Sequence, residues 1–299
     1  MLLLTSQRFF WVIWFGATCE WVLATEKVGH MHEFNDGKPS QMPVFFGEYR
    51  KDPRHKAIYH DVTNIVISYL TDRDEVARYL PKPFELPEEP IITVTSSQCR
   101  EVEFLAGRGY NLLSVAVSAM YDKEPEILRA PFIFVMWENL TDPIIAGREQ
   151  LGVPKLFADI PDHQYFDGAW HSELSRYGSK IVELHACDLE EVSVDELRKM
   201  NEAGKNADSF GWQYFHAIGE LGPAVSNPTL FPKETTTSRA WNATGSIKWS
   251  QTTWEQNPIQ SHISNAIGDW PILEIRSTRV TKGTSNLSVA GRPPRVLAK

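Results

Sequence analysis

The sequence predicts an α+β chain that is mostly β, a barrel or sandwich of strands with a few helices packed outside. Three observations carry that expectation. Short runs rich in Val, Ile, Thr and aromatic residues recur along the chain with Pro, Gly and Asn between them. Only two segments have clear helix punctuation, and no repeat, low-complexity tract or shift in composition marks a second domain.

Taken in order, Arg8 precedes the apolar run FFWVIWFGAT and then Val22-Leu23-Ala24, a pattern resembling a secretory signal with a small-residue cleavage site. The run is too short to span a bilayer as a helix. Cys19, Glu20 and the bulky tryptophans fit an amphipathic extension equally well, so the compartment stays open. Residues 29–54 are rich in turn formers and charge and read as an arm, making 1–54 an N-terminal extension. The compact domain is expected over 55–281. YHDVTNIVISYL reads as a strand, and TDRDEVARYLP as a short helix capped by Thr71 or Asp72 and stopped by Pro81. EPIITVTSS and YNLLSVAVSAMY alternate like half-buried strands, whereas PFIFVMWENL is apolar enough to be covered on both faces. Two further strands flank the turn at Tyr177-Gly178. Ser193-Val194-Asp195-Glu196 is a capping box that opens a helix closed by Gly204. GWQYFHAI, ETTTSRAW, GSIKWS and WPILEIRSTRV complete the strands, and 282–299 read as a loosely ordered tail.

Composition then narrows the function. At 299 residues and 42% hydrophobic, the chain can bury a sizeable core. Its 38 acidic against 30 basic side chains give a net charge of −8, which argues against nucleic acid or an anionic membrane held through counterion release and toward a small-molecule partner. Cys19, Cys99 and Cys187 form no C-x-x-C motif, so neither a disulfide framework nor a cysteine zinc site is readable, although loss of residues 1–24 would leave Cys99 and Cys187 as a possible pair. Sequons at Asn139, Asn242 and Asn286 are compatible with secretion. P-loop, nucleophile-elbow and zincin motifs are absent, and Gly107-Arg108-Gly109 precedes a strand rather than a helix. His30 and His32 form an H-x-H pair with no further ligand nearby, and Glu101 and Glu103 fit the charged face of a strand. No metal and no cofactor is expected.

What remains is Lys155, set between Pro154 and Leu156 in GREQLGVPKL. An ammonium in apolar surroundings loses hydration it needs, so part of it becomes free amine. An amine condenses with a ketone, and the iminium so formed is an electron sink. The residues alone leave a second reading open, in which the lysine stem packs on Leu156 and its head reaches solvent.

The surrounding stretch ENLTDPIIAGREQLGVPKL resembles the central motif of the acetoacetate decarboxylase family: an acidic or amide residue, a proline, G-R-E, four residues and P-K. Asn139, Asp142, Pro143, Gly147-Arg148-Glu149 and Pro154-Lys155 supply it without a gap. TDRDEVARYLPKPFEL and DWPILEI resemble two weaker family stretches in the same order. The resemblance implies a closed, cone-like antiparallel β-barrel with a hydrophobic interior, assembled as a homo-oligomer. It places Lys155 as the Schiff-base lysine, Arg148 and Glu149 as support beneath it or as pocket residues, and Tyr110 as an aromatic residue near the cavity. The departures matter as well. Leu156 stands where the family's decarboxylases have a second lysine, Leu112 and Thr95 where they have glutamates, and Val62 where they have an arginine. Those groups handle the carboxylate of a small keto acid, so the expected substrate is a larger, less charged carbonyl compound, such as a polyketide-like intermediate. Three functions follow: a Schiff-base lyase of a β-keto acid, an imine-using aldolase, dehydratase or cyclase, and a non-catalytic barrel binding a hydrophobic molecule.

Overall fold

Alternation of apolar and polar residues builds most of the sheet, and the computed structural model describes it over residues 41–46 and 55–299. The expected signal segment, His30 and His32 therefore lie outside the described residues. β1 (Ile58–Leu70) leads into α1 (Arg73–Ala77), whose first turn is held by Asp72 Oδ1 accepting from the Asp74 and Glu75 amides at 2.9 and 3.0 Å. β2 (Phe84–Glu85), β3 (Ile91–Val102), β4 (Tyr110–Lys123) and β5 (Glu126–Glu138) follow. A helix, α2 (Thr141–Gln150), then connects β5 to the short β6 (Lys155–Phe157). β7 (Gln164–Phe166), β8 (Ala169–Arg176) and β9 (Ser179–Glu191) form a meander, with the β8–β9 turn at Tyr177 and Gly178, both at positive φ. α3 (Val194–Gly204) starts at Ser193, whose Oγ accepts from the Glu196 amide at 3.2 Å. β10 (Ser209–His216), β11 (Pro223–Phe231), β12 (Glu234–Trp249), α4 (Ser261–Asp269), β13 (Glu274–Asn286) and β14 (Arg295–Val296) complete the order.

The protein is mostly β, as the sequence predicts, but among the described residues the barrel is not closed by hydrogen bonds. Neighbouring strands run β14-β11-β10-β5-β4-β3-β1-β13-β12-β9-β8-β7, with β2 added to β4 and β6 to β5. That path has two free ends, made by the two-residue β14 and the three-residue β7. The sheet is not purely antiparallel either. β5 pairs in parallel with β6 and, through the single pair Phe210↔Phe132, with β10. Where that ladder thins, rings take over: Phe84 lies 5.0 Å from Phe132 and 4.8 Å from Phe210, centroid to centroid.

The structure differs from the sequence expectations in four further places. Pro143 and Gly147 hide the helical character of α2, although a proline in the first turn lacks only an amide that has no partner there. α4 has no side-chain cap and was equally silent. ETTTSRAW and GSIKWS are one strand, β12, because Gly245 serves close packing rather than a break: a Cβ there would meet Thr278 Cγ2 at 2.5 Å. The residues read as a loose tail extend β13 to Asn286 and add β14, and Leu297 is buried in the main core. Cys99 and Cys187 are both free thiols.

The two faces of the central strands have different fates. Ile65, Ile67 and Tyr69 of β1, Ile92 and Val94 of β3, and Leu113, Val115 and Val117 of β4 enter the main core. The intervening residues face a cavity.

A half-buried histidine beside this core ties stability to pH. His163 Nε2 lies 2.9 Å from Ser96 Oγ, which is 2.7 Å from Ser172 Oγ, while Nδ1 is buried without a partner. Burial lowers the His163 value from 6.5 to about 4, with Asp162 opposing and Arg100 assisting. A depressed histidine stabilises the fold above 6.5, where both states are neutral, and loses that contribution as pH falls toward 4 because only the unfolded chain takes up the proton. Unfolding in urea should therefore become easier between pH 6.5 and 4, and His163→Gln should flatten that slope; an unchanged slope in the variant contradicts this assignment.

Candidate active site

The cavity has a volume of about 540 Å³ and is walled by β1, β3, β4, β5, β12 and β13, with α3 covering part of it. Val62, Leu112, Ile133, Met136 and Phe231 make its apolar side. Hydroxyls of Thr93, Thr95, Ser97, Ser114, Thr235 and Thr281 make much of the rest, so it is more polar than the sequence reading implied.

One irregularity in β5 decides what else faces inward. Val115 pairs with Val135 but Ala116 pairs with Ile133, so Phe134 is an extra residue, a β-bulge. Before the bulge Pro131 and Ile133 point into the cavity; after it, Met136 and Glu138 do. Without the bulge, parity would send Trp137 into the cavity and Glu138 into the core.

β6 then lays Lys155 beside that carboxylate. Lys155 pairs in parallel with Met136, and the Met136 amide donates to the Pro154 carbonyl at 3.0 Å. The side chain of Lys155 faces the cavity while Leu156 packs against the main core. Lys155 Nζ lies 2.7 Å from Glu138 Oε1 and donates to the Pro143 carbonyl at 2.9 Å. Lys155 is 7% exposed and Glu138 0%. The contact is an ion pair by distance, yet neither Glu138 oxygen accepts a hydrogen bond among the described residues. Burial raises the Glu138 value, with the neighbouring Lys155 opposing.

Gly147 makes room for the lysine. A Cβ at this position would sit 2.6 Å from Lys155 Cδ and 2.7 Å from Nζ, which explains the glycine of the G-R-E stretch. Arg148 is exposed and Glu149 partly buried, and neither lines the cavity. Arg148 Nη1 donates to the Lys155 carbonyl at 2.9 Å, and the Glu149 carbonyl accepts from Gln213 Nε2 at 2.7 Å. Arg148 thus holds the backbone of the lysine, whereas the Glu149 contact is made by its own backbone carbonyl.

Tyr110 lines the cavity, with its hydroxyl 3.0 Å from that of Tyr59. Burial pushes both phenols well above their ordinary value, and each also feels Glu138. The Cys99 thiol, in the same wall, is pushed up to about 12 by burial and then by Glu138, so it stays protonated. Val62, Thr95 and Leu112 all face the cavity. Glu138 is the residue that sequence reasoning missed: it closes an almost wholly apolar strand, and an acidic residue ending such a run was the available signal. No group of three or more metal-ligating side chains exists among the described residues.

Comparisons with known proteins agree with this architecture. The chain matches the acetoacetate decarboxylase (ADC) family over residues 41–283. Decarboxylase DEC1 of Cochliobolus heterostrophus is 28% identical over 119 residues, which cover 40% of this chain and 44% of that protein; the match spans less than half of the relative. A crystal structure of acetoacetate decarboxylase from Legionella pneumophila superposes with a TM-score of 0.66 at 20% identity, covering 81% of this chain and 86% of that one. The enduracididine biosynthesis enzyme MppR complexed with pyruvate superposes with a TM-score of 0.60 at 15% identity, covering 86% and 95%. At these identities the structural likenesses bear on the fold.

Two outcomes test the geometry. Removing one partner of a buried ion pair costs about 3–5 kcal/mol. Glu138→Gln and Lys155→Met should each destabilise on that scale, and the double variant by clearly less than their sum in urea unfolding; strict additivity shows uncoupled side chains. Gly147→Ala should leave the far-ultraviolet circular dichroism unchanged yet abolish covalent labelling of Lys155, whereas normal labelling means the lysine does not need that space.

Proposed function

The chain belongs to the acetoacetate decarboxylase family, and on that premise we propose that it is a Schiff-base-forming lyase acting on a β-keto acid or a polyketide-like carbonyl compound. The observation that carries this reading is the buried pair of Lys155 and Glu138 opening onto the cavity. Decarboxylase DEC1 and MppR with pyruvate, a carbonyl acid, support it as relatives.

The chemistry follows from the pair. Glu138 takes the proton from Lys155, and the free amine adds to the ketone carbon to give a carbinolamine. Glu138 returns the proton to the departing oxygen, which leaves as water, and an iminium remains. In a β-keto acid the bond between the α-carbon and the carboxyl then breaks. Carbon dioxide leaves without the electron pair, which flows through the α-carbon into the iminium and yields an enamine. Protonation at carbon and hydrolysis by water release the ketone and restore the amine. The low-polarity wall helps at the cleavage step, because the carboxylate loses its charge as the bond breaks. Tyr110 and Tyr59, which remain protonated, can donate hydrogen bonds to the carbinolamine oxygen.

One observation favours a second reading. Val62, Thr95 and Leu112 stand in the cavity wall in place of charged residues. Such a wall suits an imine that serves aldol, dehydration or cyclisation chemistry with no loss of carbon dioxide.

Borohydride added with acetoacetate or pyruvate should fix an adduct on Lys155 by peptide mass analysis. Lys155→Ala should show none, and Glu138→Gln should trap on the order of 100-fold more slowly, the usual worth of a positioned acid/base. An equal adduct yield in Lys155→Ala overturns the proposal, and carbon dioxide release from the true substrate separates the two readings.

A further inference from the structure

The cavity holds a second lysine that this chemistry leaves unused. Lys233 lies at the join of β11 and β12, directly after the buried Phe231 and Pro232, and lines the same cavity as Lys155. Its backbone is pinned: the Lys233 amide donates to Asp208 Oδ1 at 3.2 Å. The carboxylate of Asp208 is already occupied, accepting two bonds from Arg292 Nη1 at 2.9 and 3.2 Å. Glu234, the next residue along, is also reached by Arg292, at 3.4 Å. The ammonium of Lys233 itself makes no hydrogen bond or ion pair among the described residues.

A cation turned into a cavity without a counter-ion is an unfavourable arrangement that a bound anion relieves. Burial holds the Lys233 value down, against the opposing influence of Asp208 and Cys99. Cys99 is in turn within electrostatic reach of Glu138 and Lys155, which ties the two amines to one connected space. Around Lys233 the wall includes the hydroxyl-bearing residues Ser209 of β10 and Thr235, Thr236 and Thr237 of β12. An ammonium among hydroxyls is a receptor for a compact oxyanion.

We infer that Lys233 anchors a carboxylate of the substrate while Lys155 captures its carbonyl in the same cavity. The inference rests on the Schiff-base reading and narrows it to keto acids bearing an acidic group that survives the reaction. The anchored group is not the carboxylate lost as carbon dioxide. An ammonium bonded to a departing carboxylate stabilises the charged ground state and slows cleavage. Lys233 therefore restores charge recognition to a cavity that has Val62 in place of an arginine, but at another place on the wall.

The test compares 6-oxoheptanoate with 2-heptanone, a keto acid and a ketone of equal chain length, by borohydride trapping at Lys155 of the full chain. The readout is the ratio of their half-saturating concentrations. The wild type should favour the acid by about tenfold or more, the range of a charge-assisted contact. Lys233→Met should bring the ratio near one, and Lys233→Arg should keep most of the preference. A ratio unchanged in Lys233→Met, or an adduct found on Lys233 instead of Lys155, overturns the inference. If neither compound forms an adduct on Lys155 in the wild type, the Schiff-base reading fails by itself. Calorimetric binding of the same pair to wild type and Lys233→Met then decides the anchor, a preference for the acid lost in the variant supporting it and an equal preference refuting it.

Discussion

Everything the protein is proposed to do depends on one ammonium and one carboxylate kept from water at 2.7 Å. Neither charge would be stable there alone, since burying a lone ion in a low-dielectric interior is costly. Together each offsets the other's cost of burial, and the proposed chemistry passes a proton between them. Several apparently separate features serve this pair. The bulge at Phe134 turns Glu138 inward, the parallel pairing of β6 with β5 brings Lys155 alongside, and Gly147 leaves the space its stem occupies. Arg148 holds the backbone carbonyl of the lysine from outside the cavity.

Much of the fold was legible from local patterns. Alternation located β3 and β4, β-branched and aromatic runs between turn residues located β1, β8, β9, β10 and β13, and the Asp72 and Ser193 caps located α1 and α3, because each signal lies within a few residues of chain. α2 and α4 were not legible, one because Pro143 and Gly147 obscure it, the other because no capping side chain announces it. Open ends of the sheet are also beyond sequence reading, since they depend on which distant strands meet, and here β5 and β10 meet through one residue pair.

The site was half legible for a similar reason. Lys155 sits in a contiguous motif whose spacing is visible along the chain. Glu138 lies 17 residues earlier on another strand, and only the bulge decides which way it points. Lys233 is farther still, in no motif, and enters the cavity because β11 turns into β12 at that point. A sequence read for missing family residues finds Val62, Thr95 and Leu112 and infers a plain apolar pocket. The structure places those three in the wall, yet adds a carboxylate, a second ammonium and an arc of hydroxyls.

The most direct measurement of the central claim follows oxygen rather than a trapped adduct. Formation and hydrolysis of an imine replace the carbonyl oxygen of a ketone with oxygen from water. In water enriched in oxygen-18, the wild-type protein should speed label uptake into 6-oxoheptanoate well above the buffer rate, and Lys155→Met should return it to that rate. Uptake no faster than in buffer, or uptake that survives Lys155→Met, contradicts the account.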